Sequence, residues 1–193
     1  MYPYNHKMGQ KIQSNAEGVD MDRGFITHFQ VPATAALALD ADGLIAAQAL
    51  GAEALEITAF ENAMPCARNV TIAASAAQTG DAVITGTNMA GDVITETITF
   101  DGTNTVEGNK AFKTVTKVDL PVAAGTETVN VGWGNKLGLP YKLDHNTVLY
   151  AFLDNTLEGT DPTVVVDAAN LESNTIKLNS ALAGAVVDAY FIV

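Results

Sequence analysis

From Thr71 to Val193 the chain alternates Val, Ile and Thr with polar positions in short runs broken by Gly, Asn and Asp. A period of two in such β-branched runs predicts half-buried strands. The clearest are 81–87 and 93–100, joined by Asn88-Met-Ala-Gly-Asp92, a turn-rich connection suited to a hairpin. In the second of these, Ile94, Ile98 and Phe100 share one face, and Val93, Thr95, Thr97 and Thr99 the other. A Thr row of this kind predicts the solvated side of a sheet. Further strands are expected over 110–120, 126–133, 147–153, 163–166, 175–178 and 186–193, with Val129, Val131 and Trp133 alternating inward. The closing Ala-Tyr-Phe-Ile-Val is too apolar for a loose tail and predicts a strand docked inside a sheet. Only 44–55, rich in Ala and Leu but interrupted by Gly51, fits either a strand or a short helix. The expectation is an all-β, β-sandwich or barrel-like domain over 31–193.

Residues 1–30 differ in kind. Tyr2, Tyr4, His6, Lys7, Lys11 and Arg23 are interleaved with Gly, Asn and Gln, without a period sustained over the segment. The expectation is an extended N-terminal arm. Its Tyr2, Tyr4, Met8 and Ile12 can be buried only against something else, which makes them candidate partner-binding residues; a frayed terminus is the alternative. The first 24 residues hold no apolar core of a secretory signal, so synthesis and retention in the cytoplasm are expected.

Charge narrows the partners. Ten basic against 22 acidic side chains give the 193 residues a formal net charge of -12. Affinity for nucleic acid rests on clustered Lys and Arg, so a nucleic-acid partner is not expected. Hydrophobic residues are 48% while charged ones are 17%, a balance that predicts surface buried against copies of the chain or a partner. The most weakly polar stretch, 31–50, is interrupted by Asp40 and Asp42, and no membrane span is expected. Lys110, Lys113, Lys117, Lys136 and Lys142 face only Asp119 and Glu127 over 110–142. Lys113, Lys117 and Lys136 are therefore candidates for contact with an acidic surface, against the alternative of a polar face that discourages edge pairing. Lys113 and Lys117 are expected on one side of a single strand.

Candidate chemistry is sparse. His6, His28 and His145 lie in separate segments with one cysteine, Cys66, so no metal-ligand spacing is present and no metal or cofactor is expected. Asp40-Ala-Asp42-Gly43 begins like a calcium loop, but its Gly falls at the fourth position; a tight turn is expected there. Gly132, Gly134 and Gly138 are spaced one residue off a dinucleotide fingerprint and lack its strand-to-helix setting. No Ser lies in a GxSxG sequence, and acid pairs such as Asp154 with Glu158 or Asp161 with Asp167 read as loop caps. No catalytic residue is expected. Cys66 reads as a small buried hydrophobe.

The stretches Met64-Pro-Cys-Ala-Arg-Asn-Val-Thr-Ile72, Gly80 to Ile98, Gly108-Asn-Lys-Ala-Phe-Lys-Thr-Val115 and Val131-Gly-Trp-Gly-Asn-Lys-Leu-Gly-Leu-Pro140 resemble a pattern found in virion proteins of tailed bacteriophages. The end, Leu178 to Leu182 and Tyr190 to Val193, resembles it less distinctly, and the likeness spans about residues 60–193. It implies a non-enzymatic head decoration protein on the capsid exterior. Its partners would be the major capsid protein and further copies of itself, a trimer being favoured. A tail or connector protein is the rival in the same class. From another class, a carbohydrate-binding β-sandwich module would use Trp133, Tyr141 and Tyr150 as a stacking platform.

Overall fold

The computed structural model describes residues 25–193, with the backbone of Ile12–Gln13 and Asp20–Met21. The protein is all-β, and among the described residues the sole helical element is a 3-10 turn, Leu171–Ser173. In chain order the strands are β1 (Ile12–Gln13), β2 (Asp20–Met21), β3 (Ile26–Val31), β4 (Asp40–Ala49), β5 (Leu55–Ile57), β6 (Arg68–Ala74), β7 (Asp81–Thr87) and β8 (Val93–Thr99). They continue with β9 (Val106–Phe112), β10 (Thr114–Leu120), β11 (Thr128–Gly138), β12 (Val148–Leu153), β13 (Thr156–Leu157), β14 (Thr163–Val165), β15 (Thr175–Lys177) and β16 (Val187–Ile192).

Apart from the small β1–β2 ladder, these strands form three antiparallel sheets: β5-β10-β7-β8; β14-β15-β11-β6-β9 with β4 also paired to β11; and β13-β12-β16-β3. The first packs on the second to form a β-sandwich. Ile84, Ile94, Ile98, Val118 and Leu120 from one sheet meet Val70, Ile72, Phe112, Val129, Val131 and Trp133 from the other. Each fully buried aliphatic or aromatic side chain contributes about 1.5–3 kcal/mol relative to exposure. The third sheet closes over the far end of the second, where Phe29, Val31, Val187, Ala189 and Phe191 enclose Leu137, Leu139 and Ile176.

The long strand β11 serves both cores. Val129, Val131 and Trp133 face the first and Leu137 the second, with a register shift against β6 between Trp133 and Leu137. The glycines spaced like a nucleotide motif are explained by packing on this strand. A Cβ on Gly132 would lie 1.9 Å from the Asp40 carbonyl oxygen, and one on Gly134 2.5 Å from the Asn69 side-chain amide.

The strand expected over 81–87 holds residue for residue and the one over 93–100 ends one residue earlier, at Thr99, with Ile94, Ile98 and Phe100 buried and the Thr row outward. The closing strand sits between β12 and β3, inside its sheet. Three expectations are corrected. Asp40-Ala-Asp42-Gly43 is no tight turn but the start of β4, because a side-chain-free Gly43 lets the strand lie under the Trp133 indole. Residues 110–120 are two strands in different sheets, and the chain crosses over at Lys113, whose N–H donates to the Thr87 carbonyl. Finally, residues 26–30 of the expected arm lie in β3, hydrogen-bonded along β16. The ambiguous 44–55 is strand at both ends, in β4 and β5.

Candidate functional site

The third sheet has one face in the core and one face outside. Along β16, Val187, Ala189 and Phe191 are buried while Asp188, Tyr190 and Ile192 are half-buried on the opposite side. β3 alternates in the same way, and β12 follows from Tyr150 onward, beyond a register shift between Val148 and Tyr150, so register sets the outer face in rows. Tyr150 stands opposite Tyr190, and Tyr190 opposite His28. In the next row Leu157, Phe152, Asp188 and Gln30 follow one another across four strands.

These side chains order one another. His28 Nε2 lies 2.6 Å from Asp188 Oδ1, and the Gln30 amide donates to the same oxygen at 2.9 Å. The His28 ring stacks on Tyr190 with centroids 4.7 Å apart and planes 11° off parallel. Phe152 and Tyr190 meet edge to face, with centroids 6.2 Å apart and planes at 89°. Together with Tyr150 and Asn155 they line an open concavity of about 660 Å³. Tyr150 remains 59% exposed. A smaller hollow of about 260 Å³ shares Tyr150 and carries Glu158 and Asp161 in its wall.

Large aromatic surface around a fixed carboxylate is the composition of a docking site. Tyr and other aromatics bury much area at little conformational cost, and a carboxylate fixes the orientation of a donor group. Among the described residues no three His, Cys, Asp or Glu side chains are grouped to hold a metal ion.

Of the residues singled out in the sequence, Tyr150 lies on this face, while Lys113, Lys117 and Lys136 are not among those that line its concavity. Tyr2, Tyr4 and Met8 lie outside the described residues, as does the side chain of Ile12, whose backbone pairs with Met21. Lys113 is exposed at the sheet crossover and borders a separate hollow of about 420 Å³ with Phe60 and Met64. Lys117 bonds Asp119 at 2.8 Å and lies 3.5 Å from Glu56; the hydrogen bond to Asp119 raises its pKa. Lys136 Nζ donates to the Gly108 carbonyl at 2.9 Å and to Asn109 Oδ1 at 3.1 Å, and stands 3.7 Å from Glu107. Two of the three lysines therefore have acidic partners within the chain.

The aromatic trio is not assembled. Trp133 is buried, its Nε1–H donating to the Ala38 carbonyl at 3.1 Å, while Tyr141 packs edge-on against Phe191 and bonds Thr27. Of the paired acids, Glu158 accepts the N–H groups of Asn179 and Ser180, and Asp167 those of Ala169 and Asn170. Both cap loops. Cys66 is half-buried against the second core, and burial pushes its thiol pKa up.

His28, Gln30, Phe152, Asp188 and Tyr190 escaped the sequence reading. The strands over 147–153 and 186–193 were legible, but 26–30 reads as part of the arm, and β3 and β16 lie about 160 residues apart in the chain. Comparison with protein-family models, curated proteins and solved structures finds no match.

Proposed function

We propose that this chain is a structural, non-enzymatic component of a tailed-bacteriophage particle. In this reading it is a head decoration protein that binds the major capsid protein on the outer surface of the shell and stabilises it. The single observation that carries a docking role is the outer face of β12, β16 and β3, where Tyr150, Phe152, Tyr190 and His28 line an open concavity over the second core that no element among the described residues covers. The phage setting rests on the resemblance over residues 60–193. The net charge of -12 favours the exterior, since a shell interior faces packaged polyanion. Copies repeated by the symmetry of a shell turn modest contacts into avidity. A trimer around a local axis is the favoured arrangement, and a tail or connector position is the rival within the class.

A second reading has its own observation. Tyr150 and Tyr190 flank Asp188 and Gln30, an aromatic surface with a carboxylate and an amide, which is chemistry suited to a sugar ring. The platform would be this one, since Trp133 is buried.

Adding purified protein back to particles that lack it tests both readings. Stoichiometric binding that is lost in a Tyr150→Ser, Tyr190→Ser double variant supports decoration. Absence of binding by the unaltered chain, with binding to a glycan panel, supports the sugar module.

A further inference from the structure

β3 forms one edge of the third sheet. Phe25 and Val193 exchange both backbone hydrogen bonds, at 2.8 and 3.0 Å. In an antiparallel ladder hydrogen-bonded pairs recur every second residue, so Thr27, Phe29 and Val31 also point their N–H and C=O groups at β16. Those of Ile26, His28 and Gln30 point away from the sheet. Among the described residues no strand pairs with that edge and no backbone hydrogen bond reaches it.

Exposed edges are usually blunted by Lys, Pro, Gly or a bulge. Ile26-Thr-His-Phe-Gln-Val31 has none of these and is rich in strand-forming residues, and Phe25 and Ile26 at its start are 67% and 71% exposed. Such an edge is a receptor for an added strand.

We propose that residues 2–8 of a second copy add to β3 as an antiparallel strand. Tyr2, Tyr4, His6 and Met8 stand at every second position, with Pro3, Asn5 and Lys7 between them. Pro3 has no N–H to give, so it must occupy a position whose backbone faces away from β3. That requirement makes the even-numbered residues the ones bonded to Ile26, His28 and Gln30. Residues directly opposite one another in an antiparallel pair share a face. Tyr2, Tyr4, His6 and Met8 then fall on the outer face, and the one opposite His28 extends the row Tyr150, Tyr190, His28 by one strand. Every register that tolerates Pro3 thus lays the even-numbered side chains, two of them tyrosines, on the side of the aromatic platform.

Charge agrees. Residues 1–11 carry Lys7 and Lys11 and no acid, and the receiving face carries Asp188 in a chain of net charge -12. An arm exchanged between copies joins them without requiring two strongly acidic bodies to meet face to face. The inference stands on the strand edge and does not depend on the virion reading.

The test uses the isolated full chain, in sedimentation velocity and hydrogen exchange at micromolar concentration. The expected result is a self-associated species in which the amides of Ile26, His28 and Gln30 exchange at least about tenfold more slowly than after dissociation by dilution. Two variants approach the contact from opposite sides. Tyr2→Ser with Tyr4→Ser removes the donor's side chains, and Ile26→Pro removes an outward N–H at an edge position where proline is tolerated. Each should be monomeric, with an unchanged far-UV spectrum. A chain that is monomeric at all concentrations overturns the proposal, whether its edge amides are free or protected by its own arm. So does association that persists unchanged in both variants. Because no particle enters the experiment, its failure leaves the virion reading standing, and failure of particle binding leaves this result standing.

Discussion

Arg68 Nε donates to the backbone carbonyl of Gly134 at 2.7 Å, deep between the two cores. The same guanidinium reaches the Leu37 carbonyl at 3.0 Å, and burial lowers its pKa. Among the described residues no carboxylate pairs with it; three acceptors from two segments, the Gly134 and Leu37 carbonyls and Asn135 Oδ1, satisfy it instead. It sits where β11 passes from one core to the other and its register against β6 breaks. Arg68 therefore ties β6, β11 and the β3–β4 connection where the ladder between β11 and β6 is interrupted.

Replacing Arg68 by Ala should cost about 3 kcal/mol or more, since it leaves buried carbonyls without donors and opens a cavity. Arg68→Lys should fall between, because one ammonium cannot reproduce the guanidinium's fork. Urea unfolding midpoints read both.

A methyl group at Gly43 would lie 2.5 Å from the Trp133 ring. Gly43→Ala should destabilise by about 1–3 kcal/mol through overpacking, and the Trp emission should shift as the indole is displaced. A similar change at Gly51, which has nothing within 4 Å, should be close to neutral. The pair of variants separates packing from loss of glycine flexibility.

Acid stability has a definite sign at Asp167. The Asn170 side-chain amide, then the backbone N–H groups of Asn170 and Ala169, hold its pKa down at about 2. The folded state binds that proton less tightly than the unfolded chain, so the stabilisation is present above about pH 4 and is lost as pH falls toward 2. Denaturant midpoints of the parent and Asp167→Asn should differ at neutral pH and converge through that window.

Glu96 runs the other way. Burial raises its pKa, against the opposing pull of the Asn109 and Lys110 N–H groups. The folded state then holds the proton more tightly, so this carboxyl favours folding below its unfolded pKa and loses that contribution as pH rises through the folded value. Glu96→Gln should remove this component from the pH dependence of stability, measured between pH 4 and 7.

Much of the sheet structure was legible because period-two alternation reports directly which residues share a face, as in Ile94, Ile98 and Phe100. What alternation does not report is which strands become neighbours. Tyr150, Tyr190 and His28 form one row through two pairings that no local pattern encodes. The role of Arg68 has no local signal in sequence, since nothing nearby in the chain announces the carbonyls of Leu37 and Gly134 that satisfy it. Gly43 read as a turn for the complementary reason: its partner, Trp133, is 90 residues away. The lysines of 110–142 read as a free basic strip, whereas Lys117 and Lys136 are matched by Asp119, Glu56 and Glu107.

The claim that the outer face of β12, β16 and β3 is the docking face is tested most directly by imaging the intact particle at side-chain resolution. The account predicts this domain on the outside of the head, with Tyr150, Tyr190 and His28 covered by a shell subunit or a neighbouring copy. A domain located elsewhere in the particle, or one on the head with that face open to solvent, would contradict it.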